Sequence, residues 1–151
     1  MPDASRGKGQ IWEYTFEKPG DNWFEIAFDD RAWKKDWSGF GRKGTPGSHV
    51  RTEWHTRDIW LRKDFRLVEI PGKLVLRIHH DEDAQVYLNG KLVKTLKGHT
   101  NRYLDMDITE AAIDVMQTGR NTLAIHCQQT AAGQYIDAGL LVDYNITPVP
   151  L

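Results

Sequence analysis

A single cysteine, Cys127, stands among the 151 residues, which excludes an intrachain disulfide framework. It does not place the protein in a reducing compartment, and the compartment stays open. Charge of one sign is not in excess either. Twenty basic residues face 21 acidic ones with no long basic run, so the positive field that a phosphate backbone rewards is missing and no nucleic-acid partner is expected. Long apolar runs are also lacking. Met1 to Gln10 is polar, contains Gly7 and Gly9, and offers neither a signal-peptide core nor a membrane span, so no membrane partner is expected. A piece of a larger secreted or periplasmic protein would read the same way. No βαβ alternation and no internal repeat occurs, which removes parallel-sheet and solenoid architectures.

What is present is strand. The length suits one domain, and a domain of this size buries roughly 68–70% of its unfolded surface around one core. Val86 and Leu88, then Leu92, flank Asn89-Gly90, the dipeptide of a two-residue type I′ turn, so a tight β-hairpin is expected with these three apolar residues inward. Ahead of it, Trp12, Tyr14 and Phe16 alternate with Glu13, Thr15 and Glu17 in a first strand. Phe24, Ile26 and Phe28 resume the alternation, and Asp29-Asp30 can cap a short helical turn carrying Trp33. From Lys34 to Val50 the glycines and Pro46 predict a long loop holding Trp37 and Phe40, and loops of that length are often functional.

A strand follows over Thr56 to Leu67, with Ile59, Leu61, Phe65 and Leu67 on the core face. Asp58, Trp60, Arg62, Asp64 and Arg66 occupy the other. Leu74, Leu76 and Ile78 form the next buried row, which leads through a polar connection, His79 to Asp83, into the hairpin. One helix is expected over Thr109 to Gln117, with Thr109 as N-cap, Ile108 and Ile113 as a hydrophobic staple, and Gly119 as the stop. Leu123, Ile125 and Cys127 face inward in another strand. Thr130 to Asp137 reads as a loop holding Tyr135, and Gly139 to Thr147 as the last strand. The fold class is all-β, a β-sandwich with one short helix, with a flexible segment over 1–10, the domain over 11–147 and a tail over 148–151.

Four segments carry a family resemblance. They are Ile59-Trp60-Leu61-Arg62-Lys63-Asp64-Phe65, Ala84-Gln85-Val86-Tyr87-Leu88-Asn89-Gly90-Lys91, Asp107-Ile108-Thr109-Glu110, and Gly119-Arg120-Asn121-Thr122-Leu123-Ala124-Ile125. In order and spacing this set resembles the sugar-binding domain of glycoside hydrolase family 2 enzymes over Ile11 to Tyr144. The resemblance implies a galactose-binding-domain-like jelly roll. Nothing in the chain matches the (β/α)₈ catalytic barrel of such enzymes. The Trp54-His55 segment and His79 to Asp83 are similar to a variant found as an accessory domain in bacterial carbohydrate-processing proteins. The implied function is therefore a non-catalytic carbohydrate-binding or accessory domain, whose partner is a carbohydrate or a neighbouring catalytic domain. A structural module that orients such a domain without binding sugar is the alternative, and a stand-alone hydrolase ranks last.

Glycoside hydrolysis needs two carboxylates facing each other across a substrate, and adjacency in sequence does not supply that, so no catalytic residue is assigned. Asp81 and Asp83 are read as turn residues. His79 and His80 point to opposite faces of a strand, as do His126 and Cys127, and no EF-hand spacing occurs, so neither metal nor cofactor is assigned. Cys127 reads as a small core residue and His80 as a hydrogen-bonded core histidine. Trp12, Tyr14, Phe16, Trp60 and Phe65 read as packing. Trp33, Trp37, Trp54 and Tyr135 lie in or beside loops. With Asp58, Asp81, Gln128 and Asp137 they form the candidate ligand surface, aromatic faces for a sugar ring and polar groups for its hydroxyls. Plugging the ends of the sandwich is the competing role for these tryptophans.

Overall fold

The computed structural model describes residues 9–146. Eleven strands and one helical turn follow in chain order: β1 (Ile11–Thr15), β2 (Lys34–Trp37), β3 (Phe40–Gly41), β4 (Thr52–Glu53), β5 (Asp58–Leu67), β6 (Lys73–Asp81), β7 (Asp83–Leu88), β8 (Lys91–Leu96), β9 (Leu104–Asp107), α1 (Thr109–Ala112), β10 (Gly119–Gln128) and β11 (Tyr135–Asp143). They form a six-stranded sheet, β2-β1-β5-β10-β7-β8, and a five-stranded sheet, β4-β3-β11-β6-β9. Every pairing is antiparallel except that of β3 with β4. The sheets enclose one main core, as an all-β sandwich requires. Among the described residues no helix is long and apolar enough to cross a membrane.

The period-2 rows pack as their alternation dictates. Ile59, Leu61, Phe65 and Leu67 of β5, Leu74, Leu76 and Ile78 of β6, and Leu123, Ile125 and Cys127 of β10 are all buried. The hairpin turns at Asn89 (φ 48°) and Gly90 (φ 88°), both in the left-handed region that a type I′ turn demands. Asn89 is more than a turn former. Its side-chain amide donates to the Val115 carbonyl and to Asn121 Oδ1, both at 2.7 Å, while its Oδ1 accepts from the Thr122 amide at 2.7 Å.

Several expectations need correction. Across the two-residue turn Leu92 pairs with Tyr87, between the inward Val86 and Leu88, so it points outward and Val93 is buried in its place; a bulge between Val86 and Tyr87 then shifts the β7–β8 register and turns Leu96 inward. The helix is one turn and not two. Asp107 Oδ1 accepts from the Thr109 amide and hydroxyl, at 2.9 and 2.6 Å, so Thr109 is a helical residue held from outside and not the N-cap. The Asn121 side chain then bonds both backbone groups of Gln117, at 3.1 and 2.8 Å, and takes the place of further helical turns.

Residues 20–33 form no strand. Their consecutive turns lie on the outer face of the six-stranded sheet, where Trp23, Phe24, Phe28 and Trp33 pack with Trp60, Tyr87 and Ala124 in a second cluster. The expected 34–50 loop contains β2 and β3, and Tyr135 opens β11 instead of sitting in a loop. The last strand ends at Asp143, and Thr147 lies outside the described residues, with most of the 1–10 segment and all of the 148–151 tail.

Candidate functional site

Alternation along β6 sends Leu76 and Ile78 into the core and Arg77, His79 and Asp81 to the other side of the sheet. Cross-strand pairing puts Asp137 beside His79, Tyr135 beside Asp81 and Asp105 beside Arg77, so the outer face of the five-stranded sheet is polar and aromatic. Two walls stand over it. One is the segment carrying Gly47 and His49, the other the segment Asn101 to Leu104. With Arg77 and Asp105 they line a groove of about 770 Å³. The walls meet at Gly47 (φ 75°), where an added Cβ would overlap the Asn101 carbonyl oxygen.

Beneath the groove the Tyr103 hydroxyl donates to Asp137 Oδ2 at 2.5 Å and lies 3.0 Å from the Tyr135 hydroxyl. Tyr135 donates in turn to the His49 carbonyl at 3.4 Å. His79 packs edge-on against both tyrosine rings, with centroids 5.5 and 4.7 Å away. It is fully buried, and neither ring nitrogen has a hydrogen-bond partner. At the groove surface Arg77 grips Asp105 through two parallel bonds of 2.7 and 2.8 Å.

Burial dominates the electrostatics of this floor. It pushes Asp137 up to about 6 from the ordinary 3.8, against the pull of Tyr103 and Arg51. Burial holds His79 down at about 4 from the ordinary 6.5, helped by the charges of His80 and His49. Tyr103 is raised by burial and by the Asp137 charge, and Tyr135 is pushed up to about 12 for the same two reasons.

The two shifts oppose each other in their effect on stability. The Asp137 contribution is complete below pH 4 and is lost as pH rises through about 6, because the folded state holds the proton more tightly. The His79 contribution is complete above pH 6.5 and is lost as pH falls through about 4, because the folded state refuses the proton. Each amounts to roughly 3 kcal/mol. Urea titrations from pH 4 to 7 are therefore expected to give nearly cancelling contributions in the natural protein. Relative to it, His79→Gln should lose stability as pH rises and Asp137→Asn should gain it. Variants with parallel pH profiles would contradict the assignment.

A second polar cluster lies on the outer face of the six-stranded sheet. Asp58 Oδ1 receives His126 Nε2 at 2.7 Å and the Gln128 amide at 3.3 Å, and the His126 ring stacks on Trp60 at 4.7 Å with an interplanar angle of 1°. It borders a cleft of about 100 Å³ lined by Asp83, Gln85, Lys97, His126 and Gln128, too small for a sugar ring. No group of three or more His, Cys, Asp or Glu side chains among the described residues is placed to hold a metal ion. Burial pushes the Cys127 thiol up, as befits a core residue.

The sequence-predicted ligand surface is thus divided. Asp58 and Gln128 come together, and Tyr135 and Asp137 come together on the other sheet. Asp81 is buried on β6, close under Gly133, and burial raises its pKa. Trp33 packs T-shaped against Phe28 at 5.6 Å in the outer cluster. Trp37 is 45% exposed but lies on edge strand β2, opposite Ile11. Trp54 and Tyr135 have no exposed surface, so neither offers a ring face to a ligand. Sequence reasoning missed Arg77, His79, Asn101, Arg102, Tyr103 and Asp105. The signal for Arg77 and His79 was available, since they are the odd positions of an alternation whose even positions are Leu76 and Ile78.

No protein-family profile and no curated protein matches the sequence. Solved structures do. A β-glycosidase from Bacteroides vulgatus superposes with a TM-score of 0.60 at 18% identity, over 90% of this chain and 20% of that one. A glycosyl hydrolase family 2 member from Bacteroides cellulosilyticus gives 0.60 at 16% identity, over 88% and 20%. The chain has the fold of one section of a glycoside hydrolase family 2 enzyme. A Bacteroides uniformis β-glucuronidase agrees, with a TM-score of 0.59 at 20% identity over 87% of this chain and 17% of that one. The chain thus spans about a fifth of the length of these enzymes.

Proposed function

We propose that this chain is a non-catalytic, carbohydrate-binding accessory domain of a glycoside hydrolase-type protein, extending over residues 11–147, and that the groove on the five-stranded sheet receives the saccharide. The groove itself carries this reading. Sugar hydroxyls both donate and accept, and here donors on Asn101 and Arg102 and acceptors on Asp105 converge beside the Tyr103 ring in a space of about 770 Å³. One carboxylate, Asp105, lines the groove, and Arg77 holds it. Acid–nucleophile chemistry across a glycosidic bond needs two, which keeps the hydrolase reading last.

A structural role beside a catalytic domain is favoured by one observation. Ile11 and Trp37, 37% and 45% exposed, face each other across β1 and β2 at the edge of the six-stranded sheet. Such a pair suits an interdomain contact.

Calorimetric titration with methyl β-glucopyranoside and methyl β-glucuronide, extended by a glycan array, separates the two. Arg102→Ala is expected to weaken the bound saccharide roughly ten-fold, the loss of one charged hydrogen bond. Its unfolding free energy should stay within about 0.5 kcal/mol of the natural protein, as for other surface changes. Absence of binding to any glycan would leave the structural module as the function.

A further inference from the structure

The ionisable lining of the groove is unbalanced. Arg77, Arg102 and His49 meet one carboxylate, Asp105, and Arg77 already engages both of its oxygens. Those hydrogen bonds hold Asp105 below the usual carboxylate range, so the pair stays ionised and its charges cancel. No neighbouring carboxylate makes up the difference: two positions along β9, Asp107 is bonded to Thr109, and Asp81 and Asp137 are buried in the sheet. One cation is left over. Among the described residues the Arg102 side chain makes no hydrogen bond or ion pair, although it lines both the groove and an adjoining cavity of about 280 Å³ shared with His99, Thr100, Asn101 and Leu104.

Arg102 is also held in place from both sides. Before it, the Thr100 amide donates to the His80 carbonyl at 2.8 Å and the Thr100 hydroxyl accepts from the His80 amide at 3.1 Å, while the Asn101 carbonyl abuts Gly47. After it, the Tyr103 hydroxyl is bonded to Asp137 and Leu104 pairs with Ile78. A backbone fastened at these points loses little freedom when the guanidinium takes a partner, and a guanidinium presents paired donors to the oxygens of an anion.

We infer that the saccharide of this groove is anionic, carrying a carboxylate or a sulfate ester that Arg102 binds where the two cavities meet. That assignment deepens the carbohydrate-binding reading and rests on it; the anion site at Arg102 is a property of the chain alone. A neutral sugar keeps its contacts to Asn101 and loses the doubly charged one, and an amino sugar meets Arg102 with like charge.

Calorimetric titration of the whole chain compares methyl β-glucuronide and glucose 6-sulfate with methyl β-glucopyranoside. At least one anionic sugar should bind roughly ten-fold tighter than the neutral one, the difference between a charged and a neutral hydrogen bond, and which of them does so identifies the group. That preference should shrink as ionic strength rises. Arg102→Gln keeps a hydrogen-bonding side chain and removes the charge, so it should bring the anionic sugars down to the affinity of the neutral one, and Arg102→Lys should retain part of the preference. Equal affinity for all three sugars, or a preference that survives Arg102→Gln, would overturn the anionic assignment and leave the carbohydrate-binding reading intact. Inorganic sulfate, followed through the amide resonances of residues 99–105, separates the remaining case. Shifts in the natural chain that vanish in Arg102→Gln, with no sugar bound, would sink the saccharide reading and keep the anion site. Neither sugar nor sulfate bound would reject both.

Discussion

Replacing Arg62 by alanine is expected to destabilise the fold by about 3–5 kcal/mol, the range for removing one partner of a buried charge pair. Arg62 has no exposed surface although it sits at the centre of a sheet face. Its Nε meets Asp30 Oδ2 at 2.8 Å, and its Nη1 donates to the carbonyls of Trp23 and Glu25 at 2.6 and 2.8 Å. The guanidinium also lies over the Phe28 ring at 5.2 Å. One side chain thus holds residues 20–33 against the six-stranded sheet. Truncation strands two carbonyls and a carboxylate and uncovers Trp23, Phe24 and Phe28. Lysine should not rescue it, because a single ammonium cannot reproduce the planar fork. Urea unfolding measures the loss, and a red shift of tryptophan emission in the folded baseline should accompany it. A change below about 1 kcal/mol would mean that the covering segment is held by apolar packing alone.

Trp54→Ala is expected to cost a similar amount, about 3–5 kcal/mol, for the cavity left by a large buried ring. Trp54 is fully buried in the main core, its amide donates to the Gly41 carbonyl at 3.0 Å, and its indole donates to Thr56 Oγ1 at 3.0 Å. Trp54→Phe should lose less, since most of the volume returns. Sugar affinity, measured below the lowered melting temperature, should not change, because the groove lies on the far side of the five-stranded sheet from the core. The opposite pattern, weakened binding with an unchanged melting temperature, would return Trp54 to the ligand surface. Thermal melts and calorimetric titration on the same protein preparation discriminate the two.

Both residues show where alternation stops being informative. Period 2 places Arg62 opposite Leu61, and in isolation that face reads as solvent. What covers it is a segment without regular structure, and such a segment leaves no periodic trace. Trp54, flanked by polar residues just before a strand, reads as a loop aromatic. Its ring enters the main core because the chain stays docked beside β3 after β4, with the Trp54 amide on the Gly41 carbonyl, while Glu53 and His55 remain exposed. The Leu92 assignment failed for a different reason: a two-residue turn pairs Leu92 with Tyr87, one position out of phase with the inward Val86 and Leu88.

The residues by themselves determined the strand rows of β1, β5, β6 and β10, the Asn89-Gly90 turn, the burial of Cys127 and the all-β class. Each depends on neighbours two to four positions apart, whose geometry the backbone dictates. Only the tertiary structure decided which polar residues meet. Arg51, Tyr103 and Asp137 come from distant stretches of chain and meet at one carboxylate beneath the groove because β11 pairs with β6 and β6 with β9. Those pairings are chosen by burial of the opposite face, where Leu74, Leu76, Ile78, Ile136 and Leu140 enter the core. The apolar rows select the register, and the register delivers the polar face that lies behind them.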